Sequence, residues 1–172
     1  MNLSPDGGAT PPVTAYEQKM RWILQLEDER QLKGSGGDLL ALLQDPEARV
    51  RRRAALAAGR VRLPEAVAGL STQLESDKDA EVRQMAAFGL GLLGDRTASP
   101  ALVARLGSDP YLLVRARAAE ALGLIGATDA AGAIADLVRP AIASGAVAGQ
   151  AADDLGATLT PELEAFRLAL YA

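Results

Sequence analysis

One pattern recurs three times at a fixed step and limits what this chain can fold into. It reads "DPEARVRRRAALAAGRV" at 45–61, "DKDAEVRQMAAFGLGLLGD" at 77–95 and "DPYLLVRARAAEALGLIG" at 109–126. Asp45, Asp77 and Asp109 are 32 residues apart, as are Val50, Val82 and Val114. Arg51, Arg83 and Arg115 keep the same step, and so do Gly59, Gly91 and Gly123. Earlier in each unit Leu42, Leu74 and Leu106 correspond, and one further step reaches Val138. A period of this length marks a stack of supersecondary units, each burying its apolar face against its neighbours. The composition fixes their type. Hydrophobic residues make up 49% of the chain and aromatic ones 3%, which suits Ala/Leu-rich helices and not strands.

Each unit divides into two helices. The first is short and apolar, at 38–44, 64–75 and 99–107, with Val67, Leu70 and Leu74 on one face of the second example. Pro64 and Pro100 suit a first turn, where a missing N–H is no loss. The second helix carries the motif, with Val82, Ala86, Gly89, Leu90 and Leu93 on a single stripe. Small residues in that stripe allow helices to approach closely. Asp77 or Asp79 caps this helix and Gly94 ends it.

The spacing D-x-x-x-x-V-R-x-x-A-A-x-x-x-G-x-x-G is complete at 77–94 and 109–126, and at 45–62 Arg62 replaces the last glycine. In this the chain resembles HEAT repeats, specifically the short bacterial type also seen in phycobilin-lyase-like proteins, over about residues 38–158. The resemblance implies an all-α, right-handed α-α superhelix, a HEAT-repeat solenoid. It implies a buried valine. It also implies a structural ladder in which Arg51, Arg83 and Arg115 join the aspartates of their own and adjacent units, Asp45, Asp77 and Asp109. A fourth unit departs from the pattern. Val147, Ala151, Ala152, Leu155 and Gly156 keep the series shifted by one residue, Ala148 stands where the arginine belongs, and the Asp-Pro corner is missing. The ladder is expected to stop or weaken there, and Pro140 to end or kink the unit's first helix.

The ends differ from the middle. Residues 1–13 read as a flexible leader, or as the remnant of a removed signal segment. Residues 14–33 read as a capping helix, with a Thr14/Glu17 capping box and a stripe of Tyr16, Met20, Ile23 and Leu24. Trp22 falls off that stripe and rests on the "GSGG" loop or marks a contact. The units are placed at 38–62, 64–94, 99–126 and 130–158. Residues 160–172 carry Thr160 as N-cap, Pro161 at the first position and Leu163, Phe166 and Leu170 on one face. They read as the first helix of a truncated fifth unit. Hence the expectations that the chain is a fragment of a longer protein and that it dimerises through this helix.

Chemistry is sparse. The sequence has no histidine and no cysteine, which removes imidazole catalysis, thiol catalysis and the soft metal ligands. Lys33 lies near Ser35, but in a glycine-rich loop. "GLGLLG" matches the dinucleotide fingerprint, yet its glycines lie inside a helical repeat instead of after a strand. Asp153–Asp154 and Glu27–Asp28 are adjacent pairs, which diverge on a helix. No catalytic, cofactor-binding or metal site is assigned, and no apolar run approaches the length of a membrane span. Net charge is −4. Arg49, Arg51, Arg52, Arg53, Arg60 and Arg62 form a local basic cluster, but comparison with the next unit confines it to one repeat, which disfavours nucleic acid.

What remains is surface. The expected role is a non-catalytic interaction or scaffold module for a protein or peptide, inside a larger bacterial protein whose chemistry lies elsewhere. "WILQLEDERQL" adds a short resemblance to HEAT arrays of large bacterial proteins that carry a cyclophilin-type prolyl isomerase domain. The alternatives are an enzyme or chaperone of the phycobilin-lyase type, against which the scarcity of aromatics argues, and a nucleic-acid-binding solenoid. The compartment is open: cytoplasmic, or periplasmic or secreted if a signal segment was removed. Projection at about 100° per residue puts Val82, Ala86 and Leu93 inward. It puts Arg52, Ala55, Leu56 and Gly59, then Gln84, Ala87, Phe88 and Gly91, then Ala116, Ala119, Glu120 and Gly123 outward. The candidate partner-binding face is Arg52, Leu56, Gln84, Phe88, Ala116 and Glu120.

Overall fold

The computed structural model describes residues 14–29, 36–145, 160–170 and 172. Nine α-helices fall within them: α1 (Ala15–Glu29), α2 (Gly36–Leu42), α3 (Ala48–Val61), α4 (Ala66–Ser76), α5 (Ala80–Leu93), α6 (Ser99–Ser108), α7 (Leu112–Ile125), α8 (Ala131–Ala143) and α9 (Pro161–Leu170). Among the described residues there is no strand, so the chain is all-α.

The helices pair as the period requires. In each unit a first helix lies on a second: α2 on α3, α4 on α5, α6 on α7. The second helices then stack side by side, α3 on α5 and α5 on α7, while α4, α6 and α8 adjoin one another. Val50, Val82 and Val114 are at most 1% exposed, and Leu70, Leu74, Leu90, Leu102, Leu106 and Leu122 complete a continuous core. Asp79 is the N-cap of α5. Its carboxylate accepts the backbone N–H groups of Glu81 (2.8 Å) and Val82 (3.2 Å). Gly94 and Gly126 end α5 and α7 at φ of 72° and 74°. Arg62 takes the same left-handed place after α3 at φ 55°, so the unit that lacks the last glycine keeps the turn.

The stack is tight because several helix positions carry no side chain, Gly59, Gly89 and Gly91 among them. A Cβ on Gly59 would lie 2.8 Å from the Cα of Gly89, and one on Gly91 would lie 2.9 Å from the Cα of Ala121. This also corrects the helical projection. Ala116 is fully buried, as are Ala55, Ala87 and Ala119, and Gly59 and Gly91 are buried with them. A second helix is flanked on both sides, so its buried arc is wider than the single stripe assumed for a helix resting on one partner. Ala116 therefore leaves the candidate face.

Two assignments at the ends change. The helix α9 packs along α7, as α7 does along α5, and also contacts α8. It occupies the second-helix place of the fourth unit and is not the first helix of a fifth. The stretch expected to form that second helix, Val147 to Gly156, lies outside the described residues. Of the apolar trio expected to cover the fourth unit, Leu163 is buried, Phe166 is half-buried and Leu170 is exposed. Pro140 does not end α8, which continues to Ala143. The helix α1 lies against α3 in the row of second helices, with Ile23 and Leu26 buried at positions one period before Ala55 and Ala58. Trp22 is 42% exposed, one period before the fully buried Ala54.

The close contact predicts opposite responses to one methyl group. Gly91→Ala should destabilise by about 1–3 kcal/mol through overpacking against the α7 backbone. Gly107→Ala, where a new Cβ meets nothing within 4 Å, should stabilise by up to about 1 kcal/mol. Thermal melts of both variants check this: melting shifts of the same sign would contradict it.

Candidate interaction surface

The units are tied by a ladder that runs across them. Arg51 donates from Nε to Asp77 Oδ2 (2.7 Å) and from Nη2 to Oδ1 (2.8 Å), and from Nη1 to the carbonyl of Asp45 (2.9 Å). Arg83 repeats the pattern with Asp109 (2.8 and 3.0 Å) and the carbonyl of Asp77 (2.8 Å). The carboxylate thus comes from the following unit, and the arginine's own unit contributes a backbone carbonyl. Each aspartate also accepts the backbone N–H two residues on, from Glu47, Asp79 and Tyr111 at 2.9–3.0 Å, which fixes the corner before each second helix. The Asp109 carboxylate is fully buried and the Arg83 side chain 9% exposed. The ring of Tyr111 lies 5.3 Å from that guanidinium.

At the N-terminal end Lys19 substitutes for the arginine, with Nζ 2.6 Å from Asp45 Oδ2 and the same separation of 26 residues. At the other end Arg115 meets no aspartate among the described residues. Its Nε donates to the carbonyl of Leu106 at 2.9 Å. Burial raises the pKa of Asp77, but the Arg51 hydrogen bond, the Asp79 N–H and the charges of Arg51 and Arg83 outweigh it and hold the group below its ordinary value. Asp45 is also lowered, burial being outweighed by the hydrogen bond from Lys19, the N–H of Glu47 and the charges of Lys19 and Arg51.

The outer face of the second helices lies away from this ladder. Leu56 and Phe88 are half-buried there and stand outside the continuous core. Leu24, one period before Leu56, is 47% exposed, so an apolar row crosses α1, α3 and α5 at one residue per unit. Gln84 is half-buried. Arg52 pairs with Glu81 of the next second helix. Arg117 of α7 stacks over the Phe88 ring at 5.0 Å and donates to Glu120 at 2.6 Å. Arg117 thus links Phe88 to Glu120, while Arg52 and Leu56 lie on α3 and Gln84 on α5.

The sequence reading missed Arg117, although it lies two periods after Arg53 and three after Arg21. It also missed the acids that neutralise the basic cluster. Glu27 accepts from both Arg53 and Arg60, the latter at 2.8 Å. Glu47 accepts from Arg49 at 2.7 Å, and Glu81 from Arg52. Burial raises the pKa of Glu27, and the hydrogen bonds from Arg60 and Arg53 more than offset it. Arg49 is thus paired locally, while Arg52, Arg53 and Arg60 are paired along the stack by acids remote in sequence. Among the described residues no acidic group is arranged to hold a metal ion, and no helix is long and apolar enough to cross a membrane.

Helix pairs stacked at a fixed step and joined by an inter-repeat salt-bridge ladder define an α-solenoid. The HEAT repeats family matches residues 37–84 and 67–148, and the chain belongs to that family. Its structure is similar to one solved in the complex of CpcE and CpcF of phycocyanin lyase from Nostoc sp. PCC7120, at 29% sequence identity and a TM-score of 0.60. The likeness covers 81% of this chain and 58% of the other, so the chain spans little more than half the length of that relative. No curated protein matches the chain.

Two predictions follow from the ladder. Arg83→Ala leaves the Asp109 carboxylate buried without its partner and should cost about 3–5 kcal/mol, whereas Arg52→Ala, on an exposed pair, should cost about 1 kcal/mol or less. Equal losses in denaturant titration would remove the structural assignment. The second concerns acid. The lowered carboxylates bind fewer protons folded than unfolded as pH falls through about 4. Their stabilisation is complete above that range and is lost below it, down through the folded pKa values. The melting temperature should stay level from neutral pH to about 5 and then fall. Asp77→Asn should melt lower at neutral pH and show a shallower acid limb; a limb of unchanged steepness would contradict the role of Asp77.

Proposed function

We propose that the chain is a non-catalytic scaffold that binds a protein or peptide along the outer face of its second helices. HEAT repeats serve as protein-interaction scaffolds, and one observation directs the reading to this face: the apolar row of Leu24, Leu56 and Phe88. The row stands outside the core, bordered by the Arg52–Glu81 and Arg117–Glu120 pairs. The helices beneath it are held in register by the ladder, so a partner meets a preorganised surface and little ordering cost. An aromatic anchor within a rim of paired charges is the usual arrangement of an interface hot spot. The chemistry served by such a module lies on another domain or another polypeptide.

A second reading has one observation in its favour. The similar structure comes from a phycocyanin lyase complex, so a role beside a bilin-handling enzyme is the alternative. In the scaffold reading, peptides selected on the chain from a random library bind Phe88→Ala at least about tenfold more weakly. The same variant should lose less than about 1 kcal/mol of stability, against about 3–5 kcal/mol for a core phenylalanine. Unchanged peptide affinity, or a core-sized loss of stability, removes Phe88 from the site. A shifted absorbance band on adding a bilin, unaltered in Phe88→Ala, supports the second reading instead.

A further inference from the structure

Among the described residues no carboxylate completes the rung that Arg115 begins, and Arg115 lies in a cleft. Each complete rung joins a guanidinium to a carboxylate 26 residues further on, Arg51 to Asp77 and Arg83 to Asp109. From Arg115 the same step reaches Ala141. The Nε of Arg115, which would face the next unit's carboxylate, is turned back onto the Leu106 carbonyl. Its two Nη groups make no hydrogen bond to any described residue. Arg115 is half-buried and lines a cleft of about 240 Å³ between α7, α8 and α9. Leu112, Leu137 and Phe166 form apolar walls, and Ala141 stands among them. Two acids also line the cleft. Asp136 is tied to Arg139 at 2.7 Å, while Glu162 is exposed and forms no salt bridge among the described residues.

We propose that this cleft binds an aspartate of a partner peptide, its carboxylate on the Arg115 guanidinium and the next apolar side chain against Leu137 and Phe166. This site is separate from the second-helix face and does not depend on it. A half-desolvated guanidinium with a free fork favours a carboxylate, which can take two parallel hydrogen bonds. The array itself shows the form of acceptor that fits: an aspartate at a chain corner, used twice. Glu162 is the internal competitor, and the apolar walls distinguish a peptide from a free anion.

The test uses the full chain labelled with ¹⁵N and the peptide acetyl-Asp-Pro-Leu-Leu-amide as probe, read at the Arg115 Nε–H resonance. A saturable shift is expected at Arg115 and none at Arg139. The Asn-Pro-Leu-Leu analogue should bind about tenfold more weakly. Arg115→Gln should abolish binding. Glu162→Gln should tighten it. Ala141→Asp, which keeps Arg115 and supplies the missing carboxylate within the cleft, should block the probe and raise the melting temperature. Equal binding of the two peptides, no saturation by about 10 mM, or an unaffected probe in Ala141→Asp overturns the site. Propionate binding as well as the peptide overturns the peptide assignment.

Discussion

Everything in this array depends on a guanidinium that reaches out of its own repeat. Arg51 and Arg83 each hold their own unit's aspartyl carbonyl with one nitrogen and the next unit's carboxylate with the other two. Burying such a pair carries a desolvation cost close to its Coulombic gain, so the net stabilisation is modest. What the pair supplies is register. A slip of one helical position would strand a buried carboxylate, whereas an Ala/Gly interface alone would tolerate sliding. The glycines and the ladder therefore divide the work: Gly59 and Gly91 let the helices touch, and the arginines determine where they touch.

A fixed register has a consequence for the outer face. Second helices of successive units lie side by side, so charges from different points of the chain pair across them. Glu27, Glu47 and Glu81 meet four of the six arginines that look unopposed in the sequence. A duplex or single strand would have to break those pairs before gaining its own phosphate contacts, and the second-helix row of α5 offers no exposed basic residue to continue the path. A protein partner asks less of such a surface, because paired charges can remain as a rim around the apolar row of Leu24, Leu56 and Phe88.

The fold was legible because its signal is a period, and a period survives without any knowledge of contacts. The two-helix units and their turns follow from it, and the resemblance to HEAT repeats added the buried valines and the ladder residues. The direction of each rung did not, since Asp45 and Asp77 are equally periodic partners for Arg51 and only the stacked helices distinguish them. Ala116 was placed outward for a related reason: periodicity gives one stripe, and a helix with neighbours on both flanks buries more than a stripe. The place of α9 was hidden because the chain leaves the 32-residue step after α8, and a pattern cannot report on a helix that does not repeat it. Within the candidate face, Leu56, Phe88 and Glu120 were readable as a row. Arg117 was not, because Met85 interrupts the arginines at that position.

The first and last rungs seen among the described residues are built differently. At the N-terminal end the array keeps a second helix, α1, and replaces the arginine with Lys19. A lysine is a compact point charge, and here it supplies the single bond that the last carboxylate, Asp45, still needs. Its side chain is 38% exposed, so this end is closed by a partly solvated pair. Around it Arg21 and Asp28 are exposed to solvent, as a terminal cap requires. The C-terminal end is the reverse case. There the arginine is retained and no described carboxylate accepts from it. A ladder in which every unit gives a cation forward and receives one from behind must finish with one cation in excess, unless the last unit changes residue type. Lys19 keeps a cation at the first rung, so among the described residues the excess cation is Arg115. Among the described residues this leaves unspent hydrogen-bonding capacity at Arg115, beside the junction where α9 packs along α7.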